Sequence, residues 1–330
     1  MTTPSSSNET HLDPSLTLRS VRWEDLNAVA QGIYDICEAE GDPSLAYTPD
    51  DLANEWKFKG FNPEQDASLV ETSDGRVVGY LALFNVRDHC ELSGDIYVHP
   101  KFKELGVVTA LLRALEIRAR EHIPLAAPGL RVFLRVPTFN KDETSKAIFA
   151  YEGYSPARYH WRMGIDLAAA PPVPFLPARF EIRPFVKDEH VMAVWQARNE
   201  AFKDNWGSHS LTFDEFSYFT FDNPEYDPTL WIVIWDGKEV AGFSINHNRM
   251  DIGWIHILGV RPAWRKKGLG LALLHHSFGE FYKRGMKTIG LGVDASNPTG
   301  ATRLYQKAGM RTVNEFVTFE KELRPGIQPE

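Results

Sequence analysis

The stretch from Arg265 to Gly270 is where the chain first gathers residues that could do chemistry. Arg265-Lys266-Lys267-Gly268-Leu269-Gly270 puts three cations and two residues without a Cβ at one turn. The apolar run Trp254 to Val260 precedes it and reads as a buried strand. Leu271, Leu274, Phe278 and Phe281 follow at helical spacing, with Gly285 as the stop. A helix start leaves N–H groups without intrahelical partners and carries partial positive charge. Gly268 and Gly270 let a ligand approach the main chain closely. Strand, basic glycine turn and helix start together suit an anion such as a phosphate, though a solvated turn that merely caps a helix has the same makeup. Two other phosphate loops do not fit. Leu271 and Ala272 stand where a nucleotide-triphosphate loop needs Lys and Ser/Thr, and Leu273 stands where a dinucleotide fingerprint needs its third glycine.

A second group lies further on. Thr288 to Val293 reads as a strand, Asn297 as the cap of a helix with Pro298 at its first position, and Gly309 as its end. Ala301, Leu304, Tyr305 and Ala308 share one stripe of that helix, so Tyr305 is either a proton-donating phenol or a core aromatic. His256 lies two residues before Leu258, and on a regular strand the two share a face. It could take the proton that an ammonium must lose, as could Glu200, Asp204 or His247; a strand histidine turned into the packing is the plainer reading.

The order of these parts resembles the GNAT superfamily of acetyl-CoA-dependent N-acetyltransferases. Arg265, Gly268 and Gly270 match its Gln/Arg-x-x-Gly-x-Gly/Ala signature; Leu304, Tyr305 and Gly309 match Leu-Tyr-x-x-x-Gly-Phe, with Met310 in place of Phe. The resemblance implies acetyl-CoA as co-substrate, no metal, and a primary amine of a small molecule as acceptor. It implies that the main chain at Leu258 and Val260 holds the pantetheine arm. Arg265, Lys266, Lys267 and the amides of Gly268, Leu269, Gly270 and Leu271 would hold the pyrophosphate. Asn297 would bond near the thiol end, an N–H near Leu258 would receive the developing oxyanion, Tyr305 would protonate the departing thiolate, and His256 heads the candidates for base. The segment Ala201 to Phe221 would cover the acceptor, its aromatics (Phe202, Trp206, Phe213, Phe216, Tyr218, Phe219, Phe221) forming either a pocket wall or a core cluster.

The elements that must position these groups follow from the whole chain. At 330 residues it is long enough for two domains, and 43% hydrophobic residues suffice for globular cores. A net charge of −8 argues against nucleic acid and agrees with a cationic acceptor. No apolar run is long enough for a bilayer. Cys37 and Cys90 show no metal spacing, which suggests a reduced, cytoplasmic setting. Residues 1–14 read as a loose tail, 15–166 as an N-terminal domain, 167–179 as a proline-rich linker and 180–330 as a C-terminal domain.

The second domain restarts the first. Arg19 corresponds to Arg183, Asp74-Gly75 to Asp236-Gly237, Gly79-Tyr80 to Gly242-Phe243 and Val98-His99-Pro100 to Val260-Arg261-Pro262, each pair 162 to 164 residues apart. The expected architecture is mixed α/β: two tandem GNAT-like domains, each a mostly antiparallel central sheet flanked by helices. The tandem order resembles the mycothiol synthase group of double-GNAT proteins, which implies activity in the C-terminal half. The copies are unequal. Lys103, Gly106 and Val108 stand for Arg265, Gly268 and Gly270; Glu104 stands for Lys266, and Phe149 for Tyr305. The first copy therefore reads as degenerate. A homodimer is compatible with the sequence, a membrane or nucleic-acid partner is not expected, and a non-catalytic acyl-CoA-binding regulator is the alternative function.

Overall fold

Alternating Leu16-Thr17-Leu18-Arg19 forms β1 (Leu16–Ser20), which pairs antiparallel with β2 (Ala67–Thr72). Between them run α1 (Leu26–Glu40), α2 (Pro49–Trp56) and the short α3 (Pro63–Asp66). A turn through Gly75 leads to β3 (Val77–Arg87), then come β4 (Glu91–Val98), α4 (Val107–Glu121), β5 (Val132–Phe139) and α5 (Glu143–Tyr151). After β6 (Ser155–Asp166) the same series recurs: β7 (Glu181–Arg183), α6 (Lys187–Phe202), α7 (Phe213–Phe221), β8 (Ile232–Asp236), β9 (Glu239–Arg249), β10 (Ile252–Val260), α8 (Leu269–Lys283), β11 (Thr288–Asp294), α9 (Ala301–Lys307) and β12 (Arg311–Arg324). This computed structural model describes residues 11–203, 210–221, 226–249, 252–297 and 299–329; the Phe219 side chain lies outside the described residues, as do Asp204, Trp206 and Pro298.

Two compact units result, and they do not follow the linear halves. One contains the chain up to Ala157 together with Phe316 onward; the other runs from Arg158 to Glu315. In the first, the strand order is β1-β2-β3-β4-β5-β12, and in the second it is β7-β8-β9-β10-β11-β6. Each order has one parallel pair, β4 with β5 and β10 with β11, and the other pairs whose register is known are antiparallel. The strand that ends the first half of the sequence therefore completes the second unit's sheet, and the last strand of the chain completes the first's. Domain boundaries at 166 and 180 miss this exchange, because sequence spacing carries no record of which β11-like edge a strand joins.

The repeat survives at the level of single pairs. Gly79 faces Val98 in β3–β4, and Gly242 faces Val260 in β9–β10. Each unit has its own cores: α4 buries Leu111, Leu112 and Leu115 fully in one, and α8 buries Leu274, Phe278 and Phe281 in the other. Each such side chain contributes about 1.5–3 kcal/mol relative to exposure. Of the expected tail, residues 1–10 lie outside the described residues, but the following segment is fixed. Leu12 packs on the first core and the Asp13 amide donates to the Leu105 carbonyl at 3.0 Å.

Candidate functional site

The second unit opens where its parallel pair ends. β10 and β11 are paired from Gly253 and Ile289 to Ile255 and Leu291, and no further. Beyond that point Ile257 to Val260 continue to pair with β9 on one side only, so the main-chain groups of β10 on the β11 side have no strand partner. A register shift lies between Ile255 and Ile257, which leaves His256 as the extra residue of a β-bulge. In the first unit, Gly94 and Asp95 are consecutive across the equivalent pairs and nothing is inserted. The expectation that His256 and Leu258 share a face by simple alternation is corrected here: the bulge re-aims the strand between them.

The gap between the splayed strands is a cleft of about 790 Å³, inside the range of small-molecule sites. Its wall includes Leu258 and Val260 from β10, Gly292 and Val293 from β11, Arg265, Lys266, Gly268, Leu269, Gly270 and Leu271 from the basic turn, and Asn297, Tyr305 and His256. The residues expected to hold the cofactor, except Lys267, therefore meet at one cavity with Tyr305 and His256, whereas the alternative bases Glu200 and His247 do not line it. Lys267 turns away, its Nζ donating to the Ala263 carbonyl at 2.9 Å.

At the basic turn, Lys266 and Gly268 both take left-handed backbone, with φ of +61° and +82°. Both residues therefore bend the chain immediately before α8 begins. The first bond of α8 runs from the Ala272 N–H to the Gly268 carbonyl at 3.1 Å, so the amides of Leu269, Gly270 and Leu271 have no intrahelical acceptor. No atom lies within 4 Å of where a Cβ on Gly268 would stand, leaving the approach open. Gly270 answers a different need from the expected one. A Cβ there would meet Leu304 Cδ2 at 2.8 Å, so this glycine admits α9 against α8. Arg265 braces the turn rather than reaching out, since its Nε donates to the Val260 carbonyl at 3.2 Å and its Nη2 to the Ala201 carbonyl at 3.0 Å.

Across the cleft, Asn297 is not the cap of α9. Gly300, at φ +76°, holds that place, and Asn297 Oδ1 accepts from the Thr299 amide at 2.8 Å, closing the turn before the helix. Its side chain thus shapes the rim instead of ending a helix. Tyr305 is 7% exposed and lies in the wall. Burial pushes its phenol up to about 12, so it stays protonated at neutral pH. Enclosure by protein, then the fields of Arg249 and Arg198, lowers the His256 imidazole to about 4 although solvent reaches it through the cleft. His247 stacks behind it at 5.3 Å between ring centroids and is lowered to about 3, chiefly by burial. Both rings are neutral at pH 7. Glu200 is committed elsewhere, accepting from Arg261 Nε at 2.6 Å, and Asp204 is outside the described residues.

Among the described residues of the aromatic segment, only Phe202 reaches the cavity; Phe216 is buried in the core, with Phe213 and Phe221 packed on it. Sequence reasoning missed Arg198, which lines the cleft beside Phe202, and Lys307 at its far side. Neither sits in a recognisable motif. Among the described residues there is no cluster of His, Cys, Asp and Glu that could hold a metal, and no helix long and apolar enough to cross a membrane.

The first unit keeps the shape of the turn but closes it. Gly106 has φ +78°, and the Ala110 amide donates to its carbonyl at 2.9 Å, as Ala272 does to Gly268. A Cβ on Gly106 would stand 2.4 Å from the His11 carbonyl oxygen, because the N-terminal segment lies across the turn. Lys103 is held between Glu40 and Asp142, at 2.7 Å from the latter, so its charge is already neutralised. Val108 is buried in the core and Phe149 packs edge-on to Phe319.

Comparison with known proteins agrees with this duplication. Residues 30–142 and 191–310 each match the family described as Acetyltransferase (GNAT) family. The chain is 31% identical over 249 residues to a mycothiol acetyltransferase of Thermomonospora curvata, spanning 73% of this chain and 78% of that one. It is 30% identical over 251 residues to one of Streptomyces scabiei, spanning 75% of each. Among solved structures, a GCN5-related N-acetyltransferase from Sphaerobacter thermophilus superposes with a TM-score of 0.83 at 32% identity, over 97% of this chain and 99% of that one. A tandem GNAT protein from the clavulanic acid biosynthesis pathway shares the fold at 16% identity, with a TM-score of 0.69 and coverage of 94% and 100%.

Proposed function

Because the chain belongs to the acetyltransferase (GNAT) family and carries two copies of its domain, we propose that it moves an acetyl group from acetyl-CoA to a primary amine of a small molecule, and that the cleft of the second unit is the site. One observation carries this reading: the unpartnered amides at the start of α8 and the buried phenol of Tyr305 face the same open cavity. The amides and the partial charge of the helix end suit a pyrophosphate. The unpaired edge of β10 suits an extended amide-bearing arm, which would add as a short strand against Leu258 and Val260.

The chain's own groups then divide the work. An N–H at the bulged part of β10, near Leu258, would receive negative charge on the carbonyl oxygen under attack, a role that the missing strand partner on the β11 side supports. Tyr305 holds a proton across the neutral range and can give it to the departing thiolate; the burial that raises the phenol raises a neighbouring thiol as well, so the two remain close. His256 is neutral and can accept a hydrogen bond from the attacking amine. A conjugate acid near 4 does not retain the proton, so His256 passes it on to water in the cleft rather than storing it.

The test is a turnover screen. Purified protein, acetyl-CoA and a panel of amines are combined and free thiol is measured, an amino-thiol sugar heading the panel because the relatives are named for mycothiol. Amine-dependent thiol release is the expected result. Thiol release that no amine accelerates, across aminoglycosides, amino sugars and peptide termini alike, would reject the reading.

A further inference from the structure

The strand contributed by the first half of the sequence brings one side chain against a residue of the second unit's cleft wall. β6 pairs with β11 from Asp166 and Thr288 to His160 and Asp294, and just before the last pair lies Arg158. Its guanidinium grips Asp294 as a fork: Nε donates to Oδ1 and Oδ2 at 3.0 Å each, and Nη2 donates to Oδ2 at 2.7 Å. Asp294 lines the cleft. We propose that Arg158 is a positioning residue for acetyl transfer, holding residues 294–297 so that Asn297 and Tyr305 keep their places on the cleft wall.

The bonds that run from this pair reach the start of α9. Asp294 Oδ1 also accepts from the Ser296 amide at 2.8 Å, and the Asn297 amide donates to the Asp294 carbonyl at 3.0 Å. The Ala295 amide donates to the Tyr159 carbonyl at 2.9 Å, so two successive residues at the start of the turn are pinned to β6. Asn297 then binds the Thr299 amide, and the Gly300 amide donates to the Asn297 carbonyl at 3.3 Å. Leu304, next to Tyr305, makes the first bond of α9 to the Gly300 carbonyl at 3.2 Å. Arg158 has a second effect. It neutralises Asp294, the one carboxylate among the described residues of the cleft wall, which would otherwise repel an anionic ligand.

A fork of this kind needs a planar guanidinium, so a lysine keeps the charge and loses the geometry. A displacement of about 1 Å at reacting groups can cost on the order of a hundredfold in rate. The proposal rests on the acetyltransfer reading, and wild-type turnover is the control that separates the two: if the wild type acetylates no amine, that reading fails by itself, while exchange at the turn still decides the role of Arg158. Steady-state kinetics and amide hydrogen exchange would be measured on the full chain as wild type, Arg158→Ala and Arg158→Lys. The expected result is a kcat at least tenfold lower in Arg158→Ala with the acetyl-CoA KM within twofold, partial recovery in Arg158→Lys, and faster exchange over residues 294–301 but not over α8. A kcat within twofold of wild type, or unchanged exchange over 294–301, would overturn it. Should Arg158→Ala fail to fold, Arg158→Lys carries the same test: intermediate kcat with faster exchange at the turn supports the role, and wild-type values in both reject it.

Discussion

Tyr305 is the residue on which the chemical assignment turns. It is enclosed by the core formed with Leu274, Phe278 and Leu291, yet its ring borders the cavity. A purely packing tyrosine would tolerate loss of its hydroxyl, since phenylalanine has nearly the same shape. A proton donor would not. Tyr305→Phe is expected to lower kcat by on the order of 10²-fold, the usual worth of one positioned acid, while the affinity for acetyl-CoA measured by calorimetry stays within twofold. Unaltered kcat from pH 6 to 9 would show that the phenol only packs. His256 is the residue at which regular strand alternation fails, although it lines the cleft with Leu258. Its exposure in the cleft comes from the bulge, and its low proton affinity comes from the protein around it and the two nearby arginines.

At the scale of elements, α2 and β4 of the first unit set two carboxyls in each other's field. Tyr80 and Tyr97 face one another across β3 and β4, and Trp56 Nε1 of α2 donates to the Tyr80 hydroxyl at 3.1 Å. Asp95 lies two residues before Tyr97 on β4. Burial, then the charge of Asp95, pushes the Glu55 carboxyl up to about 8, and burial pushes Asp95 up to about 6. The sign follows from linkage: Glu55 keeps its proton in the fold but loses it near its ordinary value when unfolded, so the unfolded state binds fewer protons in between. The stability this group contributes is complete below about pH 4.5 and is lost as pH rises toward 8. Glu55→Gln cannot ionise and still accepts a hydrogen bond. It is expected to raise the thermal midpoint by about 2–4 °C at pH 8.5, equivalent to about 1 kcal/mol in a domain of this size, with no gain at pH 4. Equal shifts at both pH values would place the effect in packing instead.

At the scale of the whole chain, two equivalent turns have met different fates. The turn at Gly268 is open, while the one at Gly106 is covered by His11 and Leu12 and its lysine is bound by two carboxylates. The full-length protein is therefore expected to bind one acetyl-CoA per chain in a calorimetric titration. Gly270→Val, which drives a branched side chain into Leu304, should abolish that heat, and Val108→Ala should leave it intact. A stoichiometry of two would show that the N-terminal segment yields its place. The intact chain is the species to titrate, because cutting it in the 167–179 stretch would separate each sheet from the strand that completes it.

The sequence by itself determined the family, the duplication and the motif residues that line the cleft, but not the rest of its wall, such as Arg198, Asp294 and Lys307. The former are local facts: glycines at fixed spacing, a period of hydrophobic positions, and a register that repeats after 162 to 164 residues. Only the tertiary structure decided that β6 and β12 exchange units, that His256 is the inserted residue of a bulge, that Gly300 rather than Asn297 caps α9, and that Arg158 clamps Asp294. Each of these depends on which groups meet across long stretches of chain. Strand exchange leaves the alternation of both strands unchanged, a bulge alters the pairing count without altering the residue pattern, and a fork between residues 158 and 294 has no spacing that a sequence could display.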